Sequence, residues 1–575
     1  MSNRRKRNRN KNNRILIAVM AMFIAVIVMS LILLKRYAPS TEHMELSEYF
    51  VQTEADEGSV ILNGEYLAPN EGEAVYAIHN EDGDYLLLSF VKNFLDDGYT
   101  YDSTEKILRY TTDKDVITVN YGDTSYYINK DERQLAEAVI LTEYDKIYVS
   151  SEFVEALTDI TYYTVDNPHR IVIETAGWEH DTAHIKRNSE IRRFGGNKSK
   201  ILSNVAKGDQ VIIMENYGKW SLVLTSDGVL GCIKNSKMKD KETIATAANL
   251  PERVYNHITM DEKIVLGWHQ VTNKTANANV AEVLSTAYGV NVISPTWFYF
   301  NDNMGGIANL CSEDYVNYCH ARGIQVWALV SNLENRNVDT ATVLNTTSAR
   351  DALINNLIAA AITYNLDGIN VDIEALPSAA ADGYIEFIRE LSLKCEKNGL
   401  VLSVDNYPPS ANTMLYDRAE QSKYADYIVI MGYDEHYGGD EEAGSVASIG
   451  FVEDAVSNTM EEVPAEQIVL GMPFYSRVWI QNNNGTLTSR VLSIENSAKY
   501  IAENGFDMKW DDEVGQYYGE KVDGEKTFML WLEDTNSLSK KLQVMQDSGL
   551  AGAAFWKLGL EDANAWSTIV TFFGK

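Results

Sequence analysis

The sequence predicts an α/β fold whose C-terminal part is a (β/α)8 TIM barrel, because one unit of strand and helix recurs from about Lys263 onward. Each unit opens with a short apolar strand that ends in polar or aromatic residues, and an amphipathic helical segment follows. The strand number is that of a TIM barrel. The eight predicted strands are 264–269, 290–297, 325–331, 368–374, 401–406, 427–434, 468–475 and 552–556.

The helices on either side of the fourth strand support this assignment. The first is predicted to begin at Ser348, with Asp351 three residues later in a capping box. The second sets apolar residues at helical spacing and is predicted to end at Gly399. Both helices would cover a parallel sheet, as the barrel requires.

The fourth strand carries acidic residues where a structural strand would not. In the segment 367–374, Asn370, Asp372 and Glu374 alternate with apolar residues, so they share one face. The two carboxylates would lie about 7 Å apart. Buried charges cost several kcal/mol unless they are paired or functional, and this strand contains no Lys or Arg. The pattern therefore predicts an active site at the C-terminal mouth of the barrel.

Other predicted strands end in residues of the same kind, which suits a pocket for sugar rings. Each tryptophan taken alone could equally be core filling. The residues at these strand ends are Trp268, His269, Trp297, Ser331, Asn332, Asp405, Asn406, Tyr433, Asp434, Tyr475 and Trp556.

Four stretches in order resemble the glycoside hydrolase family 18 enzymes, the chitinase-like hydrolases. The segment 367–374 is similar to the family's fourth-strand Asp-Gly-x-Asp-x-Asp-x-Glu, with Asn370 in place of an aspartate. Residues 431–434 resemble its sixth-strand Met-x-Tyr-Asp, 471–475 its seventh-strand Gly-x-Pro-x-Tyr, and Trp556 its eighth-strand tryptophan. The resemblance covers about residues 255–572 and is nearest to the branch acting on spore cortex or cell-wall peptidoglycan.

This resemblance implies substrate-assisted retaining hydrolysis, in which the 2-acetamido oxygen of the substrate attacks the anomeric carbon. Glu374 would be the acid and base, Asp372 would orient the acetamido group, and Tyr433 would hold its oxygen. Asp434 would contact the substrate or Tyr433. The substrate-binding residues implied or predicted at the mouth are Asn370, Asp405, Met431, Asp434, Tyr475, Trp268, Trp297 and Trp556.

Two alternatives stay open for the chemistry. Asp372 could act as the nucleophile of an ordinary retaining pair, although residues two apart on one strand flank a bond poorly from opposite sides. Asn370 cannot share a proton with Asp372 but can donate a hydrogen bond to it, which predicts altered pH dependence rather than lost activity.

The N-terminus predicts a membrane anchor. Residues 1–14 form a tail with seven Lys or Arg, and 15–34 are a run of 20 uncharged, mostly apolar residues. That run spans a bilayer and exceeds the apolar core of a usual signal peptide. The basic tail would stay inside and the bulk of the chain outside the cell membrane, in a Gram-positive bacterium.

Charge and ligand spacing exclude other classes of partner. Beyond residue 36 the chain has 41 basic and 82 acidic residues, which disfavours nucleic acid. The four cysteines are too few and scattered for a disulfide framework and are predicted to be buried thiols. No metal site and no cofactor are predicted, because the histidines lack ligand spacing and none cluster in the segment after the anchor.

Between anchor and barrel the chain is predicted to hold a stalk at 35–56, an accessory domain at 57–176, a small domain at 183–239 and a linker at 240–254. The accessory domain, of α+β type, resembles the N-terminal domain of copper amine oxidases, here a spacer or assembly module. The small domain resembles a bacterial SH3 domain, an all-β barrel. Such modules commonly bind peptidoglycan, and the bland alternative is a packing domain. The barrel itself is predicted at 255–575, with an insertion over the site at about 481–531.

The sequence therefore predicts a membrane-anchored extracellular hydrolase of β-linked N-acetylglucosamine polymers, peptidoglycan first. Non-wall glycans, cut by a chitinase or an endo-N-acetylglucosaminidase, are the second substrate class. The alternative from another class is a chitinase-like lectin that binds wall glycan without cutting it, and a third is a structural role of residues 57–239 in a wall or sporulation complex. Retention of both Asp372 and Glu374 argues against the lectin, since lectin forms commonly lose the acid.

Overall fold

The computed structural model describes residues 2–574 apart from 51, 53, 55, 69–73 and 82. Residue 1 of the predicted basic tail and several residues of the predicted stalk and accessory domain lie outside that description. The described chain forms two compact units. The first comprises residues 1–97, 121–126 and 133–252, and the second comprises 98–120, 127–132 and 253–575.

The chain begins with one long helix, Ser2–Tyr37. Its segment Asn13–Tyr37 is long and apolar enough to cross a membrane. The predicted apolar run 15–34 lies within it.

The first unit contains two sheets. One has the strand order 140–143, 146–150, 83–87, 77–80, 57–62, 170–175 and 160–165, with 65–67 also paired to 57–62. The strands of this sheet are Glu57–Leu62, Glu65–Leu67, Ala77–Asn80, Gly83–Leu87, Ile140–Glu143, Lys146–Ser150, Ile160–Val165 and Arg170–Thr175, and the helices of the unit are Leu46–Tyr49, Leu88–Phe94 and Ser151–Leu157.

The second sheet of this unit is antiparallel and all-β, as predicted for 183–239, and it extends past both predicted limits. Its strands are Glu179–Ile185, Ser189–Arg192, Ile201–Val205, Gln210–Asn216, Trp220–Thr225, Leu230–Lys234 and Met238–Ala245, with a 3-10 turn at Asn235–Lys237. It has its own apolar core, built around Ile185, Ile191 and Val223.

One prediction for this part of the chain is wrong. His79, Asp84 and His169 come together in the first sheet, so the segment does hold a histidine cluster. Sequence spacing does not reveal it, because His169 immediately precedes the strand Arg170–Thr175, which joins the hairpin of the other two only through the fold of the sheet.

The second unit is built around a closed barrel of eight parallel strands, as predicted. Each strand pairs in parallel with its neighbours in chain order, and the last strand pairs with the first. The strands are β1 (Ile264–His269), β2 (Val292–Pro295), β3 (Gln325–Ser331), β4 (Gly368–Asp372), β5 (Val401–Asn406), β6 (Tyr427–Met431), β7 (Ile468–Pro473) and β8 (Gly552–Trp556).

Apolar side chains fill the barrel interior and the layer between strands and helices. Inside are Trp268, Trp327 and Val429, among others. The outer layer is a larger core that includes Ile369, Val371 and Ile373. The helices are Val280–Val283, Glu313–His320, Thr340–Asn345, α1 (Thr347–Tyr364), α2 (Ala381–Asn398), Arg418–Tyr424, Ile449–Met460, Ile494–Asn504, Thr535–Asp547 and Ala563–Phe573, with 3-10 turns at Lys274–Asn279, Ser378–Ala380, Met414–Tyr416 and Ala465–Gln467.

Two additions extend the barrel. Phe298–Phe300 and Ile307–Asn309 form a short ribbon beside β3. Between β7 and β8, the predicted insertion forms a five-stranded antiparallel sheet with the helix Ile494–Asn504. The strands of that sheet are Tyr475–Asn482, Leu487–Ser493, Lys509–Asp511, Gln516–Asp523 and Lys526–Leu532.

A further antiparallel sheet comes from the segment predicted as the accessory domain. Its strands are Tyr99–Asp102, Ile107–Thr111, Val116–Asn120, Ser125–Ile128 and Asp131–Gln134. Residues 98–120 belong to the barrel unit. The segment 57–176 thus contributes to both units.

The capping box predicted at Ser348 and Asp351 is wrong. Helix α1 begins at Thr347, and the side chain of its N-cap residue makes no capping hydrogen bond. Instead, the backbone N–H groups of Thr347 and Ser348 donate to the carboxylates of Asp102 (2.7 Å) and Glu105 (2.9 Å). The cap is therefore supplied by a hairpin remote in sequence. Helix α2 ends at Gly399 in the left-handed conformation, as predicted.

Candidate active site

Most of the predicted site residues lie at the C-terminal ends of the barrel strands. Asp372 ends β4, and Glu374 follows it by two residues. Asp405 lies near the end of β5, Tyr433 just beyond β6, and Trp556 at the end of β8. Parallel strands end on one side of a barrel, so these side chains line a common mouth.

Glu374 is held by its backbone and by one side-chain contact. Asn332 brackets the residue, because its Oδ1 accepts from the Glu374 N–H at 3.0 Å and its Nδ2 donates to the Glu374 carbonyl at 2.9 Å. The hydroxyl of Tyr407 donates to Glu374 Oε2 at 2.6 Å. The carboxyl group is thereby held in position by its own backbone and by Tyr407.

The pKa of Glu374 is raised. Burial is the main cause, and the charges of Asp434 and Glu334 act in the same direction, while the hydrogen bond from Tyr407 opposes them. A carboxyl group whose pKa is raised in this way keeps its proton nearer to neutral pH, as a general acid must.

Asp372 is half-buried, its Oδ1 atom is shut off from solvent, and no counterion lies beside it among the described residues. Its Oδ1 has no hydrogen-bond partner within the described part of the chain. Burial, followed by the charges of Asp405, Glu374 and Glu334, raises its pKa well above the ordinary value. Buried polar atoms are normally satisfied, so an orphaned carboxylate oxygen at a barrel mouth indicates a partner supplied by substrate.

Asn370 is the centre of a buried hydrogen-bond network below these acids. Its Oδ1 accepts from Trp268 Nε1 (3.0 Å) and Ser294 Oγ (2.9 Å). Its Nδ2 donates to Asp405 Oδ1 (2.7 Å) and Ser403 Oγ (3.1 Å). The predicted hydrogen bond from Asn370 to Asp372 is therefore wrong, since both amide hydrogens are directed elsewhere.

Asp405 can hold the proton that the amide of Asn370 cannot take up. Burial raises its pKa to about 8, with the charge of Glu374 acting in the same direction and the hydrogen bond from Asn370 opposing. Asp372 and Asp405 are thus two buried carboxyls that cannot both ionise at low cost near neutrality. A proton remains available beside Asp372 through Asp405 rather than through residue 370.

The aromatic residues divide into two groups. Trp268 packs edge-on against Tyr433 and Trp556, at centroid distances of 6.3 and 6.0 Å, within the barrel interior. Trp297 is fully buried, packs on Tyr315 and donates to Asn277, so the structure does not bring it to the mouth.

The remaining predicted residues lie on the side formed by β6 and β7. Met431 ends β6 and is buried. The Tyr475 hydroxyl donates to Asp434 Oδ1 at 2.6 Å, and Asp434 has no hydrogen bond with Tyr433 among the described residues. Asp434 is thus oriented by a tyrosine of the seventh strand end rather than by its sequence neighbour.

Two residues important to the site were not among the predicted site residues. Tyr407 follows the polar pair Asp405 and Asn406 at the end of β5, which is the signal that could have identified it. Asn332 was noted at the end of β3, but its double contact with the Glu374 backbone depends on how β3 and β4 lie side by side. No cofactor ligand set accompanies these residues in the described part of the barrel.

Comparison with known proteins shows which enzymes the barrel resembles. Residues 321–561 match the model of glycosyl hydrolases family 18. The candidate sporulation-specific glycosylase YdhD of Bacillus subtilis (strain 168) is 28% identical over 271 residues, covering 44% of this chain and 63% of that protein. The cortical fragment-lytic enzyme of the same strain is 26% identical over 250 residues, covering 41% of this chain and 58% of that protein. The chain therefore spans about three fifths of the length of these relatives.

Among solved structures, the C-terminal domain of a candidate chitinase from Desulfitobacterium hafniense DCB-2 superimposes with a TM-score of 0.50 at 20% identity, over 54% of this chain and 99% of that domain. At that identity the likeness concerns the fold. The family match over residues 321–561 and the closed eight-stranded barrel together show that this part of the chain is similar to the glycosyl hydrolases of family 18.

Proposed function

We propose that this chain cleaves β-linked N-acetylglucosamine polymers, with peptidoglycan as the principal substrate, by substrate-assisted retaining hydrolysis. The observation that carries the proposal is the Asp372 carboxylate near Glu374, whose buried Oδ1 has neither a hydrogen-bond partner nor a counterion among the described residues. Such a group is costly to maintain unless the substrate completes it.

In the first step, Glu374 protonates the glycosidic oxygen as the bond to the anomeric carbon breaks. The substrate's own acetamido oxygen attacks that carbon, so an oxazolinium intermediate forms without an enzyme nucleophile. In the second step, the Glu374 carboxylate takes a proton from a water molecule. The oxygen of that water adds to the anomeric carbon, and the oxazolinium ring opens. The raised pKa of Glu374 suits both steps, since the group must hold a proton first and accept one later.

Asp372 positions the acetamido group in this scheme. Its orphaned Oδ1 accepts the acetamido N–H, which aims the carbonyl oxygen at the anomeric carbon and offsets the positive charge that develops. Tyr433 holds the acetamido oxygen, and Trp556 lies under the sugar ring. Asp405 supplies or stores the proton that decides the charge on Asp372.

The wall substrate is favoured by the relatives and by the rest of the chain. The cortical fragment-lytic enzyme among the relatives bears a name that describes lysis of cortical fragments. The apolar segment Asn13–Tyr37 would anchor the protein in the cell membrane, with the barrel outside. The antiparallel domain around residues 183–239 would bind wall glycan in the manner of bacterial SH3 modules.

The proposal is tested with the full-length chain, purified in a non-ionic detergent that covers its N-terminal helix. Insoluble peptidoglycan is incubated with this protein and with the Glu374→Gln variant, and the soluble products are analysed by mass spectrometry. We expect new reducing ends on N-acetylglucosamine with the parent protein and a rate about 10²- to 10⁴-fold lower with the variant.

Two other outcomes would contradict parts of the proposal. Binding to the wall without cleavage by either protein would indicate a lectin. Cleavage of chitin oligomers but not of peptidoglycan would retain the mechanism and reject the substrate.

A further inference from the structure

We propose that the first unit contains a divalent metal site, of the class that Zn²⁺ occupies, formed by His79, Asp84 and His169. Suitable ligand atoms of these three residues all lie within 4.8 Å of one another. The site belongs to the first unit and takes no part in the proposed hydrolysis.

The fold of the sheet brings the three proposed ligands together. His79 and Asp84 are directly opposite each other in the hairpin of strands Ala77–Asn80 and Gly83–Leu87. Side chains opposite each other on an antiparallel pair point to the same face and meet. His169 immediately precedes the strand Arg170–Thr175, and its ring stacks on that of His79 with centroids 4.2 Å apart.

Both imidazoles face one carboxylate oxygen. His79 Nδ1 lies 2.8 Å from Asp84 Oδ1, and His169 Nε2 lies 2.7 Å from the same atom. The second contact lacks the alignment of a hydrogen bond, and His169 Nε2 has no hydrogen-bond partner within the described residues. His169 is 9% exposed, so this nitrogen has no ready access to water.

The contact of the other His169 nitrogen also favours a metal ligand. Its Nδ1 lies 3.0 Å from Asp166 Oδ1, so the ring faces a carboxylate at each nitrogen. A neutral imidazole has one N–H and can satisfy only one of them. With Nδ1–H donating to Asp166, the lone pair of Nε2 is directed at the position shared with Asp84, which is the carboxylate–histidine–metal arrangement of zinc proteins.

The donor set selects the class of ion. Two imidazole nitrogens and one carboxylate oxygen suit Zn²⁺ better than Ca²⁺ or Mg²⁺, which prefer oxygen ligands. The His79 side chain is 46% exposed, so water can reach the remaining coordination position. The ligand atoms lie 2.7–2.8 Å apart, and these distances would lengthen slightly around an ion. The ion would fasten the hairpin at residues 77–87 to the strand 170–175.

The test uses the full-length chain in detergent, stripped of metal with EDTA and returned to EDTA-free buffer at neutral pH. Zn²⁺ binding is measured by titration calorimetry, and the melting temperature is recorded with and without Zn²⁺. We expect one ion per chain and a higher melting temperature with Zn²⁺, because a ligand that binds only the folded state stabilises it.

The variants separate ligands from neighbours. His79→Ala and Asp84→Asn should each weaken binding at least tenfold, and Asp166→Asn about 10- to 100-fold, since it orients the His169 ring from outside the ligand set. His184→Ala is the matched control in the same unit, because that ring contacts a backbone carbonyl and, within the described residues, no carboxylate at hydrogen-bond distance. Its affinity for Zn²⁺ should equal that of the parent.

Folding of the variants is checked in EDTA, where His79→Ala should melt close to the parent because the side chain is half exposed. Absence of tight Zn²⁺ binding by the parent protein would overturn the proposal. So would unchanged affinity in both His79→Ala and Asp84→Asn. A stability that depends on pH but not on Zn²⁺ would also overturn it, since the cluster would then be an imidazolium held between carboxylates.

Discussion

Carboxylates are buried in two regions of the barrel unit, and only one region supplies them with cations. On the outer face, the strand Ile107–Thr111, helices α1 and α2 and the helix Arg418–Tyr424 bring three arginines to three glutamates. The pairs are Arg109 with Glu390 (3.3 Å), Arg350 with Glu390 (2.9 Å), Arg389 with Glu420 (2.6 Å) and Arg389 with Glu386 (3.4 Å). At the mouth, Asp372, Glu374 and Asp405 have no such partner among the described residues.

The presence or absence of a cation partner distinguishes the structural carboxylates from the candidate catalytic ones. The glutamates of the outer network lie in fixed ion pairs, and Glu386 also accepts a hydrogen bond from Thr111 at 2.6 Å. A buried pair of this kind is costly to break although its net contribution is small. The acids at the mouth have no cation beside them among the described residues, and burial raises their pKa values, so they hold their protons to a higher pH than ordinary carboxyl groups do. The two regions should therefore respond in opposite ways to loss of a charge.

The largest effect is expected from Arg389→Met in the outer network. This change leaves Glu386 and Glu420 buried without their main cation, so the free energy of unfolding should fall by about 3–5 kcal/mol. Hydrolysis per folded molecule should stay the same. Chemical denaturation at neutral pH, combined with the peptidoglycan assay, measures both quantities.

The matched control is Lys499→Met, which removes a cation from the exposed pair Lys499 and Glu495 (2.6 Å). Its midpoint of denaturation should equal that of the parent, since exposed pairs are screened by solvent. A loss in the control as large as that in Arg389→Met would show that burial of the network is not the cause.

At the mouth, Asp372→Asn should lower the rate of hydrolysis without lowering stability. An amide cannot offset the charge that develops on the acetamido group, so the rate should fall about 10²- to 10³-fold. The free energy of unfolding should hold or rise, because a buried carboxylate without a partner is replaced by a neutral group. A variant that loses stability and keeps its rate would place Asp372 with the structural acids.

Much of the barrel and of the candidate site could be predicted from the sequence. The features that could not be predicted all depend on contacts between remote segments. The period-two pattern of β4 predicted Asn370, Asp372 and Glu374 on one face, and the bounds of β1, β3, β5 and β8 agree with the predicted ones. These features depend on residues adjacent in the chain or on a local alternation.

What the sequence did not reveal depends on contacts between remote segments. The cap of α1 comes from Asp102 and Glu105, and the donor to Glu374 comes from Tyr407 on the next strand. The local capping box was a reasonable expectation that a tertiary contact displaced. Side-chain partners across strands or domains leave no periodic trace in one sequence.

The pH dependence of stability provides a third contrast. Because the pKa of Asp405 is about 8 in the folded state and about 4 in the unfolded chain, the folded state binds the extra proton between these values. The contribution is present below pH 4 and is lost as the pH rises through 8, so the free energy of unfolding should fall over this window, by about 1.4 kcal/mol per unit of pKa shift at most.

Asp405→Asn should flatten that part of the profile, as measured by denaturation between pH 4 and 9. Asp507→Asn, at an exposed aspartate with an 82% accessible side chain, is the control and should keep the parent's slope. Equal slopes in all three proteins would mean that Asp405 ionises normally in the folded state.

A smaller effect is expected from Tyr407→Phe. The lost hydroxyl donates to Glu374 Oε2 and lowers the pKa of that acid, so its removal should raise the pKa and move the alkaline limb of the rate profile to higher pH. The maximal rate should fall about tenfold, in line with one hydrogen bond to a charged group.

Tyr384→Phe is the control for that experiment. Tyr384 is buried beside Tyr416, and its hydroxyl has no hydrogen-bond partner among the described residues. Its removal should leave the pH–rate profile in place. A parallel shift in both variants would trace the effect to packing rather than to the contact with Glu374.

The smallest effect concerns the remote cap. Asp102→Ala removes the acceptor for the Thr347 N–H at 2.7 Å, and it also removes the turn contacts to the N–H groups of Thr104 and Glu105 at 2.8 and 3.0 Å. Loss of a helix cap costs about 0.5–2 kcal/mol, so the midpoint of denaturation should fall measurably and the rate per folded molecule should not. Ser348→Ala tests the displaced local cap against it: the helix starts one residue earlier, and the Ser348 hydroxyl donates only to the exposed carboxylate of Glu105 in the same hairpin, so its cost should be the smaller of the two. A larger cost for Ser348→Ala would show that the Asp102 contact is not the main cap of α1.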